Sequence, residues 1–153
     1  MNQQILMSIR PQHLVNILNG KKTIELRKQF PSDFRGWVYC YCTKTKPYIT
    51  QQSKSQFTIR ESKDFTNLIN GKVVCRFWVG NEVSEELYEK FYAIHISKLK
   101  IFDKPKELGE FYYYKKRLID CGMDCPPYFD EVKTQVRKAP QSWQYIYIEE
   151  EKL

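Results

Sequence analysis

Long apolar runs are missing from this chain of 153 residues. No stretch approaches the roughly 20 residues that span a bilayer, and no apolar h-region opens the sequence. A cytosolic protein with no membrane partner is therefore expected. Histidine is scarce, with His13 and His95 alone. A lone His in a helix or a strand is most often a packed or surface residue, so neither is taken as catalytic. Cysteine is present in an odd number, five, which argues against a closed secreted disulfide framework. Cys40 and Cys42 form C-x-C, and Cys121 and Cys125 form C-x-x-x-C. Together they make a conceivable four-cysteine zinc set, but the spacings are unlike the common knuckles. Cys40 and Cys42 fall on the apolar side of a strand, where buried thiols are the better reading. No metal and no cofactor are expected. No Pro- or Gly-rich linker divides the chain, so residues 1–153 read as one domain.

What is present favours a β-rich fold. Hydrophobic residues make up 42% and aromatic residues 15% of the chain, so it is not disordered, and its Tyr and Phe suit pleated, half-buried surfaces. The formal charge is +7. A basic excess favours polyanions such as nucleic acid. The charge is also segregated. Basic residues gather in Met1 to Lys28 and Lys98 to Arg117, and acidic ones in Glu82 to Glu89 and Glu149 to Glu151.

Periodicity places the elements. Ile5 to Ile9 reads as a strand. Pro11 opens a helix whose buried stripe is Leu14, Ile17 and Leu18, and Asn19-Gly20 closes it. Thr23 to Arg27 alternates, with Ile24 and Leu26 expected on the core face and Glu25 and Arg27 on an outer groove. Trp37 to Thr43, Lys72 to Val79, Phe91 to Phe102 and Ser142 to Glu149 read as further strands. Thr45 to Gln56 reads as a loop. Glu61 to Asn70 and Glu82 to Lys90 read as short helical segments, and Pro105 to Phe111 as a helical turn. Tyr112 to Ala139, with its Pro126-Pro127 pair, reads as irregular.

The most specific feature is Gly20-Lys21-Lys22-Thr23-Ile24-Glu25-Leu26-Arg27. Gly20 lets the chain leave the helix and enter the strand. Glu25 and Arg27 project from one strand face, with Lys22 at its entrance. Such a cluster balances its own charge while keeping donors for an anion. Arg offers a planar fork for phosphate or a base edge, and Lys a compact charge. A surface ion-pair ladder is the bland alternative. Ser8, Lys21 and Ser142 complete the candidate ligand set, and Gln141 is a further donor near the last strand. A second candidate is the run Tyr113, Lys115, Lys116 and Arg117, where rings for stacking alternate with cations for a single-stranded backbone. A core-anchored loop with a solvated basic end explains that run equally well.

The motif fits G-x-K-x-x-E-x-R, and here the chain resembles the ASCH family. Leu6 to Pro11, Tyr41 to Lys44, Asn70 to Val74, Tyr92 to Ser97 and Lys138 to Trp143 also look like a subgroup common in bacteria and their phages. The resemblance implies an α+β fold: a PUA-like, mixed, mainly antiparallel β-barrel of five to seven strands with short flanking helices. It also implies a cleft beside the first helix that takes RNA or a nucleotide-like ligand. One branch removes the acetyl group from acetylated cytidine with the motif Lys, which Lys22 matches. That branch carries Thr where this chain has Glu25. Another branch is described as cutting single-stranded RNA.

Two functions follow. In the first, a binding module holds RNA or a modified nucleotide with Lys22 and Arg27, oriented by Glu25. In the second, a hydrolase uses Lys22 and Glu25 as catalytic residues, Glu25 as general base. Cations beside Glu25 oppose the proton uptake a base requires, which favours binding.

Overall fold

The most apolar stretches of the sequence become the middle of a seven-stranded sheet. In the computed structural model, which describes residues 2–80, 84–85 and 90–149, strands β1 (Asn2–Ile9), β3 (Gly36–Cys42) and β6 (Val73–Val79) lie side by side at its centre. Both faces are covered, so these strands are apolar along most of their length. Ile5, Met7, Val38, Cys40, Cys75 and Phe77 enter one core. Leu6, Tyr39, Tyr41 and Val73 enter a second core on the opposite face. Arg76 is buried on that face as well, with its guanidinium 3.9 Å from the centre of the Trp37 ring and donating to the Tyr39 hydroxyl at 3.0 Å.

β1 runs parallel to β3, and a parallel pair needs a crossover rather than a tight turn. The crossover here holds helix α1 (Pro11–Leu18) and strand β2 (Ile24–Arg27). Pro11 starts the helix as expected, and Leu14, Ile17 and Leu18 bury against the first core. Gly20, at φ +79°, then turns the chain toward β2.

The hairpin strands β4 (Tyr48–Ser53) and β5 (Gln56–Arg60) follow, and β7 (Ser84–Glu85) and β8 (Tyr92–His95) join β2 in a three-stranded sheet. Strands β9 (Ser97–Lys106), β10 (Tyr112–Ile119), β11 (Tyr128–Gln135) and β12 (Trp143–Ile148) complete the large sheet. Its order is β11-β10-β12-β1-β3-β6-β9, and every pairing except β1–β3 is antiparallel. The protein is thus mainly β, with a mixed sheet and a single α-helix among the described residues. No closed barrel is detected among them, since the sheet ends at β11 and β9.

Several sequence expectations fail for physical reasons. Thr45 to Gln56 is no loop: it holds β4 and the start of β5. Polar groups secure that hairpin: the buried Gln51 donates to Phe102 O at 3.0 Å, and Asn67 donates to Gln51 O at 3.0 Å. The helix expected over Glu61 to Asn70 does not form. Asn70 instead accepts from Ile49 N at 2.9 Å and donates to Pro47 O at 3.0 Å, bridging the loop to β4. Phe91 to Phe102 is two strands, since the chain changes sheets at Ile96, and Lys98 sits at φ +49° just beyond. Tyr112 to Ala139 is mostly the β10–β11 hairpin, with the two prolines near its tip. The helical turn after β9 is a 3-10 turn at Leu108–Glu110. Of the acidic segment Glu82 to Lys90, residues 82–83 and 86–89 lie outside the described residues, and Ser84–Glu85 is strand.

Candidate functional site

β2 is built the opposite way round from its sequence pattern. Ile24 and Leu26, expected in the core, are 37% and 44% exposed, whereas Glu25 is 4% exposed. The expectation rested on the cost of an unpaired buried charge, but Glu25 is paired twice. Lys22 Nζ lies 2.9 Å from its Oε2, and Arg27 Nη1 donates to its Oε1. Arg27 is held further by Ser8 O at 2.8 Å and Leu26 O at 2.9 Å. Backbone carbonyls and two cations therefore satisfy the charges that the inward face receives. Local geometry sets the inversion. Lys22 N donates to Asn16 O at 2.8 Å, closing the helix onto the strand entrance, and β2 pairs with β8 so that Glu25 stands opposite the buried Ile94.

These groups open onto a cleft of about 480 Å³ between α1, β2 and the end of β1. Ser8, Lys22, Glu25 and Arg27 all line it, as expected. The Ser8 hydroxyl is already committed, donating to Pro140 O at 2.6 Å, so its contribution is to fix the 140–141 segment against the cleft. Lys21 is exposed and outside the lining, and its backbone N–H donates to Asn19 Oδ1 at 3.1 Å. Ser142 lines a neighbouring cavity rather than this one, and Gln141 reaches both. His13 and Thr43 also line the cleft. His13 was missed because an isolated His on a helix carries no signal by itself. Thr43 was missed because only the β1–β3 pairing brings it to the cleft's rim.

One atom stands out chemically. Lys22 meets Glu25 Oε2 as an ion pair, and this buried oxygen has no hydrogen bond from the described residues. Its charge is met by the Lys22 ammonium rather than by a directed hydrogen bond. No family model matches this chain, and no curated protein or solved structure matches it either.

The cysteines do not gather into a zinc set. Cys40, Cys42 and Cys75 are buried free thiols in the first core, while Cys121 and Cys125 pair with each other at the β10–β11 tip, their Cα atoms 5.9 Å apart. Burial, then the neighbouring Cys75, pushes the Cys40 thiol well above its ordinary pKa, and burial pushes Cys42 up to about 12. The second candidate run is split by strand alternation. Tyr113, Lys115 and Arg117 share one face of β10. Lys116 points the other way, 5.2 Å from the centre of the Phe129 ring.

Proposed function

We propose that this protein is a binding module for RNA or a nucleotide-like ligand, seated in the Lys22–Glu25–Arg27 cleft. The observation that carries the reading is a cleft lined together by Lys22, Arg27 and the buried Glu25 with which both cations pair. Beside it, Lys22 supplies a cation for phosphate and Arg27 a fixed guanidinium. Binding is favoured over hydrolysis because Glu25 is engaged by cations on both oxygens and Lys22 is engaged by Glu25, so neither is a free base or nucleophile. The same reading takes the chain as one PUA-like, ASCH-type domain acting in the cytoplasm. Its support is the G-x-K-x-x-E-x-R run, the helix beside the cleft and the mixed sheet around the parallel β1–β3 pair.

The test is a titration of labelled single-stranded RNA at low and raised salt. Affinity should be weak to moderate and fall steeply with salt, as counterions are released. Lys22→Ala should weaken binding at least tenfold, equivalent to about 1.4 kcal/mol, while the fold persists. Absence of binding to any RNA or DNA at low salt would leave a small nucleotide-like ligand for the cleft, and absence of binding to nucleoside monophosphates as well would overturn the reading.

A further inference from the structure

The β10–β11 hairpin offers a second surface of different character. On one face, Tyr113, Lys115 and Arg117 of β10 stand opposite Thr134, Val132 and Asp130 of β11. Past β11, Val136 is buried and its N–H donates to Phe111 O at 2.9 Å, which anchors the next two residues beside the hairpin. These are Arg137 and Lys138. The result is a groove of about 630 Å³ lined in part by Tyr113, Arg117, Arg137, Lys138 and Gln144, with no carboxylate in its lining. Asp130 faces Arg117 in the register, yet forms no ion pair with it, and its Oδ1 accepts from Glu131 N at 2.8 Å. Among the described residues, Arg117, Arg137 and Lys138 have no ion-pair partner.

The groove adjoins the cleft through two paths. Gln144 stands opposite Leu6 on β1, and Ser8, two residues further along the same face, lines the cleft. Diagonal neighbours of that kind lie about 7–8 Å apart. The chain itself also runs from Lys138 in the groove to Gln141 in the cleft, pinned midway by the Ser8 hydroxyl on Pro140 O.

We infer that the groove carries the backbone of a single-stranded nucleic acid, one nucleotide of which occupies the cleft. This rests on the cleft being a nucleotide site. Unpaired cations along a groove hold successive phosphates, and an aromatic ring at its wall gives a base a stacking platform. A duplex does not suit, since a base must leave its stack to enter a cleft. A protein partner suits less well, because the lining holds cations and one half-buried ring rather than an apolar interface centre. RNA and DNA share the backbone chemistry, so both belong in the test.

The experiment compares a nucleoside monophosphate with RNA and DNA strands of one sequence, about ten nucleotides long, within the usual footprint of a single-strand site. Oligonucleotide binding is read by fluorescence anisotropy, and monophosphate binding by the shift in melting temperature. The wild type should bind the oligonucleotide at least tenfold more tightly than the monophosphate. The variant Arg117→Ala/Arg137→Ala/Lys138→Ala should lose that gain. Its salt slope should fall by about 2, at roughly 0.7 for each phosphate no longer neutralised. Its response to the monophosphate should stay unchanged, which also shows that it is folded. RNA binding more tightly than DNA would add recognition of the 2′-hydroxyl; equal binding would leave the backbone alone as the determinant. An oligonucleotide bound no more tightly than the monophosphate, or a variant with full oligonucleotide affinity, would overturn the groove and leave the cleft standing. If the wild type binds neither, the cleft fails and the groove with it.

Discussion

The cleft and the hairpin groove both use Lys and Arg, and they use them in opposite ways. In the cleft, two cations converge on one carboxylate that is almost fully buried, and the Arg27 donors are fixed further by Ser8 O and Leu26 O. In the groove, Arg117, Arg137 and Lys138 line open space without carboxylate partners among the described residues, and only Lys133 of its lining is paired, with Glu149. A buried, mutually satisfied cluster specifies geometry, because little in it can move without leaving a charge unpaired. Exposed cations specify little but attract polyanions over a distance set by salt. On the proposed reading, discrimination would belong to the first region and capture to the second.

That contrast is best attacked at Glu25. Glu25→Ala leaves Arg27 facing the interior without its partner. It should cost about 2–3 kcal/mol in urea unfolding, less than a fully buried pair because Lys22 can turn to water. Lys115→Ala on the hairpin, by comparison, should stay within about 0.5 kcal/mol. Equal effects would erase the distinction between the two regions.

The core behind the cleft supplies a second probe, through pH. Cys42 titrates at 9.0 in the unfolded chain and is pushed up to about 12 by burial. Its contribution to stability is complete below pH 9 and is lost as pH rises from there toward 12, because the unfolded chain releases the proton first. At about 1.4 kcal/mol per unit, stability should fall by about 2 kcal/mol by about pH 10.5. The buried Cys40 acts in the same sense. Cys42→Ala should flatten this alkaline limb in urea midpoints, and the groove variant should leave it unchanged. A limb that is equally steep in Cys42→Ala would assign it elsewhere.

The smallest effect is expected from a residue that looks apolar and structural. Leu26→Thr removes an exposed side chain of β2 and should shift stability by no more than about 0.5 kcal/mol. A loss of several kcal/mol would mean that β2 presents its apolar side to the interior after all.

How far the sequence could be read follows from these same residues. The Pro11–Leu18 helix, the β1, β3 and β6 strands and the gathering of Lys22, Glu25 and Arg27 were legible, because apolar periodicity and a Gly stop act locally. The face of β2 was not, because pairing partners supplied from Ser8 and Lys22 decide where Glu25 is tolerable. The β4–β5 and β10–β11 hairpins were not legible either. The first is secured by side-chain amides such as Gln51 and Asn70, and much of the second is exposed on both faces, so neither carries a clean alternation of apolar and polar residues. The Lys138–Gln141 link between groove and cleft emerges only from the tertiary arrangement.

The placement of β1 also governs how the chain can assemble. It lies between β3 and β12, with Asn2 opposite Ile148, so β1 waits for a strand more than 130 residues further along the chain. Pairings this distant make folding slow, since loop closure precedes any reward from contact. Until β12 leaves the ribosome, an apolar strand at the centre of the sheet has one edge open to wrong partners. A translating chain of this topology should therefore depend on chaperones, and a stall before Trp143 should yield aggregate rather than a half-built sheet.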